Sequence, residues 1–249
     1  MLLTVISSTA NILGNPQEPH IISNDDSQLL YGEQFFVEES HGAYVYGYSI
    51  HDNYAGYVER DQLIKEGPKA NSLLIARSSH FYPEPSFKSR PLKKLSFLSR
   101  LAMTEEEENG FTKTESGNWI FSDHFVTLNK FVMTGDMAQT ATIYLGTPYI
   151  YGGRSSFGID CAGLVQNVVV AHGHSCPPRD TKLQEGAFGE KIERKDVQRN
   201  DIVYFKGHVG IMIDDKYIIN ATARHMSTVI EELDIVEKEY EGITHIARL

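Results

Sequence analysis

Cys161 stands in the run Asp160-Cys161-Ala162-Gly163-Leu164, His208 follows 47 residues later, and Asn220 lies 12 beyond that. A thiol, an imidazole and an amide are the parts that nucleophilic acyl transfer requires: an attacker, a base and a group that orients the base. A thiol attacks as the thiolate, so a catalytic cysteine needs a neighbour or a dipole that lowers its pKa. The local sequence supplies one. Tyr149-Ile150-Tyr151 reads as a short strand and Gly152 to Gly158 as a glycine-rich connection, while the apolar run from Ala162 to Ala171 has helix length. Cys161 is thereby expected at a helix N-terminus, where the macrodipole favours a thiolate by roughly 0.5–2 kcal/mol. Asp160 is the residue type that caps such a helix, and it is equally a candidate to meet substrate. Taken alone, Cys161 also fits an inert buried thiol.

Residues 201–220 read as strand, turn, strand, turn, strand, with His208 opening the middle strand and Asn220 closing the third. A three-residue loop at Ile213-Asp214-Asp215 would set His208 directly across from Asn220, and a two-residue loop would put them on opposite faces. The first register lets the Asn220 amide oxygen accept from one imidazole nitrogen and leaves the other for Cys161. Of the 10 histidines, only His208 is assigned to chemistry. His172, His174 and Cys176 are close in sequence, but no second cysteine pair supplies a zinc spacing, so no metal or cofactor is expected.

Four stretches in order strengthen this reading: Leu145-Gly146-Thr147-Pro148-Tyr149-Ile150-Tyr151-Gly152-Gly153, Gly158 to Val165, Asn200 to Phe205, and His208-Val209-Gly210-Ile211. Together they resemble the NlpC/P60 family of papain-like cysteine peptidases over roughly Met133 to Leu249. The resemblance implies an α+β chain with a papain-like peptidase that cuts peptidoglycan stem peptides between D-γ-glutamate and the diamino acid. By it, Cys161 is the nucleophile, His208 the base, Asn220 the third polar residue, and Tyr149 a group near the oxyanion. Asp160, Arg179, Asp180 and Thr181 are implied to line the binding cleft. Ala162 and Thr181 stand where serine is commoner. Tyr149 and Arg179 also fit core packing and a surface ion pair.

Two runs of short β-rich segments precede that region and resemble tandem bacterial SH3-like barrels. The expected division is 1–68, 72–130 and 131–249. In similar proteins the first barrel closes one end of the cleft, which makes Glu33 and Tyr54 candidates for the free amine of an N-terminal L-alanine; a turn carboxylate and a barrel aromatic are the plain alternatives. A closed cleft end would exclude a muramoyl sugar and select free peptides. Such substrates suit the cytoplasm, and the first residues carry no basic leader and no span-length apolar run. The 2 cysteines offer no disulfide framework, and a formal charge of −10 argues against nucleic acid and anionic membranes as partners. Two other classes compete with the peptidase: a wall-binding protein whose papain-like part is inactive, and an acyltransferase that passes the same thioester to an amine.

Overall fold

The computed structural model describes residues 1–249 except 22, 24–25, 129–132, 134 and 188. It divides into two compact units, Met1–Phe131 and Val132–Leu249. The boundary expected at 130/131 lies outside the described residues.

The first unit is built from antiparallel strands around two apolar cores. In one, Leu2–Val5, Gln34–His41, Tyr44–Ser49, Ala55–Glu59 and Leu63–Lys65 form a five-stranded sheet. Alternate residues of Tyr44–Ser49 are buried, the period expected of a strand with one face on a core. Leu3, Val5, Phe35, Val45 and Val58 fill that core, and Tyr54 packs against its edge. The other core gathers Leu74, Phe81, Leu95, Leu101, Met103 and Ile120 between short sheets, and Tyr31 packs against it. Tyr31 meets Phe81 edge to face at 5.1 Å between ring centroids.

The second unit pairs helices with a six-stranded antiparallel sheet, in the order Glu190–Lys191, Ile243–Arg248, Ile202–Phe205, His208–Met212, Tyr217–Thr222, Ser227–Glu232. Its helices are α1 (Met137–Ala141), α2 (Cys161–Ala171), α3 (Thr181–Gln184) and α4 (Leu233–Glu239). All but one of the α2 residues are buried, so its polar side chains need partners inside the protein. Gln166 Nε2 donates to the Pro177 carbonyl at 2.9 Å, and Asn167 Nδ2 donates to the Tyr144 hydroxyl at 2.8 Å and the Arg154 carbonyl at 2.7 Å. Leu233 and Val236 of α4 close a core with Val203, Phe205, Met212, Ile218 and Ile246.

The start of α2 comes very close to the glycine-rich connection. A Cβ added at Gly163 would lie 2.5 Å from the Gly153 carbonyl oxygen, so the helix can approach only where a side chain is missing. Gly163→Ala is expected to cost about 1–3 kcal/mol of stability through overpacking. Chemical denaturation measures this, and a loss below about 0.5 kcal/mol would show that the loop yields freely.

Candidate active site

Cys161 is the first residue of α2, and Asp160 caps the helix from extended backbone at φ −104° and ψ 179°. Both oxygens of Asp160 are engaged. Oδ1 accepts from the Gly163 N–H at 2.8 Å, whereas Oδ2 accepts from the Gly152 N–H at 2.8 Å and from Arg179 at 2.6 Å. Arg179 is therefore no surface residue: its side chain is 4 % exposed and that of Asp160 7 %. The guanidinium serves the capping carboxylate, and through it the loop that carries Cys161. Asp180 and Thr181, at the start of α3, are half-buried. Buried Gln184 closes α3, with Nε2 donating to the Pro178 carbonyl at 3.0 Å.

Tyr149 does not lie in a strand. It makes one isolated parallel bridge, with Ile159, and its N–H donates to the Met226 carbonyl at 3.0 Å. Burial, and then the negative charge Cys161 and Asp160 would carry, push the Tyr149 phenol well above its ordinary range. The hydroxyl stays protonated and can donate.

His208 opens its strand and is buried, and Asn220 lies inside the neighbouring strand rather than at its end. The register differs from the one expected. Ile211 faces Ile219 and Met212 faces Ile218, which extends to Gly210 opposite Asn220. The loop is longer because Asp214 Oδ1 accepts from the Lys216 and Tyr217 N–H groups at 2.8 and 2.7 Å, forming a side-chain turn. A shift of two residues preserves the face, so His208 and Asn220 meet diagonally, with Nε2 of the imidazole 3.0 Å from Asn220 Oδ1. Asn220 Nδ2 in turn donates to Glu231 Oε2 at 3.1 Å. The aromatic ring of Tyr240, just past α4, stacks on His208 at 4.3 Å and 8°. Neither Glu231 nor Tyr240 was singled out from sequence; each is one charged or aromatic residue among many, without a motif around it.

Burial works against the thiolate that the helix start favours. Burial pushes the Cys161 thiol up to about 12, with Asp160 adding to the effect, against backbone N–H groups of Val209 and Ala162 that favour the anion. Burial likewise pushes His208 down to about 4, with Arg224 adding to this and Asn220, Glu231 and Asp160 opposing it. Desolvation therefore works against both charged forms, the thiolate and the imidazolium. The Val209 N–H acting on sulfur places Cys161 against the residue that follows His208. Because the thiolate fraction of such a pair grows with pH, iodoacetamide labelling of Cys161 is expected to speed up about tenfold per pH unit between pH 6 and 9. A rate that is flat over this interval would instead reveal an ion pair at rest.

Glu33 and Tyr54 belong to the first unit. Glu33 is buried in its turn, where Oε2 accepts from the Leu30 N–H at 2.9 Å and Oε1 lies 3.8 Å from His51 Nδ1. His172, the first of the clustered histidines and cysteine, has its Nε2 2.8 Å from the Thr140 hydroxyl. No described helix is long and apolar enough to cross a membrane.

Comparison with known proteins supplies an independent view. Residues 146–244 match the NlpC/P60 family, and residues 18–63 match the bacterial dipeptidyl-peptidase SH3 domain. A γ-D-glutamyl-L-lysine dipeptidyl-peptidase of Bacillus subtilis is 28% identical, with 97% of this chain and 96% of the relative aligned. Dipeptidyl-peptidase 6 of Lysinibacillus sphaericus is 24% identical over 92% of this chain and 91% of its own. Among solved structures, an NlpC/P60 family protein from Bacillus cereus superposes with a TM-score of 0.83 at 20% identity, covering 100% of this chain and 99% of the other; this likeness concerns the fold.

Proposed function

From a chain that carries an NlpC/P60 cysteine-peptidase domain behind a bacterial SH3 domain, we propose that this peptidoglycan-peptide hydrolase cleaves the bond between D-γ-glutamate and the diamino acid of free stem peptides, releasing L-Ala-D-Glu. The observation that carries the proposal is the His208–Asn220 pair at 3.0 Å beside a helix that begins with Cys161. The relatives' names, which specify a γ-D-glutamyl-L-lysine bond, support the choice of bond.

Asn220 Oδ1 accepts from Nε2–H of His208, so Nδ1 is the basic nitrogen. As Cys161 sulfur attacks the γ-carbonyl, its proton passes to Nδ1, since burial disfavours the free thiolate. The carbonyl oxygen becomes an oxyanion and accepts from the Cys161 backbone N–H, at the positive end of α2, and from the Tyr149 hydroxyl. Collapse of this intermediate breaks the C–N bond, and the imidazolium returns the proton to the departing amine. The thioester that remains is hydrolysed by water, whose proton His208 accepts and then gives back to sulfur. Stacking of Tyr240 on the His208 ring favours the imidazolium formed in between.

Asp160, held by Arg179, with Asp180 and Thr181, forms the proposed substrate-binding group of this unit. The free amine of L-alanine is assigned to Glu33 and Tyr54, and the cytoplasm is the proposed setting. Mass spectrometry of a free L-Ala-γ-D-Glu-diamino acid peptide and of its muramoylated form tests the preference. The free peptide is expected to turn over at least about tenfold faster, a difference of roughly 1.4 kcal/mol in transition-state binding. Equal rates would remove the amine requirement and leave the bond assignment standing.

A further inference from the structure

His208, Asn220 and Glu231 lie on one face of three adjacent strands, and their hydrogen bonds run in series. An asparagine amide has nearly the same shape in either flip, so a lone Asn220 could offer His208 its oxygen or its NH2 group. The choice has chemical consequences. Oxygen facing Nε2 requires the Nε2–H tautomer and leaves Nδ1 able to take a proton from sulfur; NH2 facing Nε2 requires the opposite tautomer and disables the base.

Glu231 removes the ambiguity. A carboxylate only accepts hydrogen bonds, so the Asn220 atom 3.1 Å from Glu231 Oε2 must be nitrogen, and Oδ1 must turn to His208 at 3.0 Å. Arg224 in turn holds the carboxylate, with one NH2 at 2.7 Å from Oε1 and 2.9 Å from Oε2, and His225 Nε2 lies 3.1 Å from Oε1. Burial on its own would raise the Glu231 pKa; hydrogen bonds from Asn220, Arg224 and His225 outweigh it and hold the group below its ordinary range. We propose that Glu231 is a positioning residue that fixes the tautomer of His208 through the Asn220 amide, the carboxylate alone sufficing to orient it.

The proposal rests on the peptidase reading for its effect on turnover, but its structural core does not, which makes the two separable. In Glu231→Gln the side chain keeps its shape. Arg224 and His225 draw the amide oxygen to the Oε1 position, leaving NH2 toward Asn220, which then flips and presents its own NH2 to His208. The 15N resonances of the His208 ring, assigned by their loss in His208→Gln, read the tautomer directly. The expected result is Nε2–H in the wild-type chain, Nδ1–H in Glu231→Gln, and Nε2–H retained in Arg224→Met, whose carboxylate still accepts from Asn220. In turnover of the stem peptide, Glu231→Gln is expected to lose about 100-fold in kcat with KM within about twofold, as fits an interaction that matters only during chemistry. A wild-type ring protonated on Nδ1 overturns the proposal even if Glu231→Gln does not fold. So does a folded Glu231→Gln chain that keeps the wild-type tautomer, or an Arg224→Met chain that changes it in the same way. Correct tautomers without any turnover would instead count against the peptidase reading alone.

Discussion

Cys161→Ala is expected to lower kcat for stem-peptide cleavage by at least about 10^4-fold, because the Cys161 sulfur is the nucleophile that forms the acyl intermediate. The loss should be chemical and not structural. Cys161 begins α2 but does not cap it; Asp160 retains its bonds to Gly152, Gly163 and Arg179. Removing one buried sulfur leaves a small gap worth about 1 kcal/mol. Initial rates read together with far-UV circular dichroism and thermal unfolding separate the two effects. A folded variant with wild-type turnover would remove Cys161 from the chemistry.

Arg179→Met carries the second large effect, this time on stability. With both partners buried, removing the guanidinium strands the Asp160 carboxylate in an environment that cannot solvate it, at a cost of about 3–5 kcal/mol. Two backbone N–H groups still reach the carboxylate, but they cannot balance its charge. The double variant Arg179→Met with Asp160→Asn is expected to recover part of that loss, since asparagine still caps at Gly163 and carries no charge, while its NH2 leaves the Gly152 N–H without an acceptor. Urea denaturation of both variants measures the difference. A single-variant loss below about 1 kcal/mol would mean that water reaches Asp160 and that the pair does not hold the start of α2.

The elements that carry chemistry were the most legible in the chain. The helix after Asp160 and the three strands spanning residues 201–222 follow from an apolar run and from turn residues at Lys206-Gly207 and Asp214-Asp215. Register was less accessible: a loop two residues longer, closed by the Asp214 side chain, moved the pairing by two residues, and only the period of the strand kept His208 and Asn220 together. The protonation of the pair was not legible, because the sequence displays a helix terminus but not how much water remains around it. The gain from the dipole is local and small, whereas desolvation acts on the whole thiol. Arg179 sits among Pro178, Asp180 and Thr181, a polar stretch that resembles surface, and only the fold brings it under Asp160. Glu231 acts on His208 only through Asn220, and Tyr240 reaches it from just past α4; no spacing rule connects these positions.

The most direct test of the account is the identity of the products formed from a free L-Ala-γ-D-Glu-diamino acid peptide, determined by mass spectrometry with the wild-type chain and with Cys161→Ala side by side. The account predicts L-Ala-D-Glu and the free diamino acid from the wild type and intact peptide from the variant. Cleavage between alanine and glutamate, or equal product yields from both chains, would contradict it.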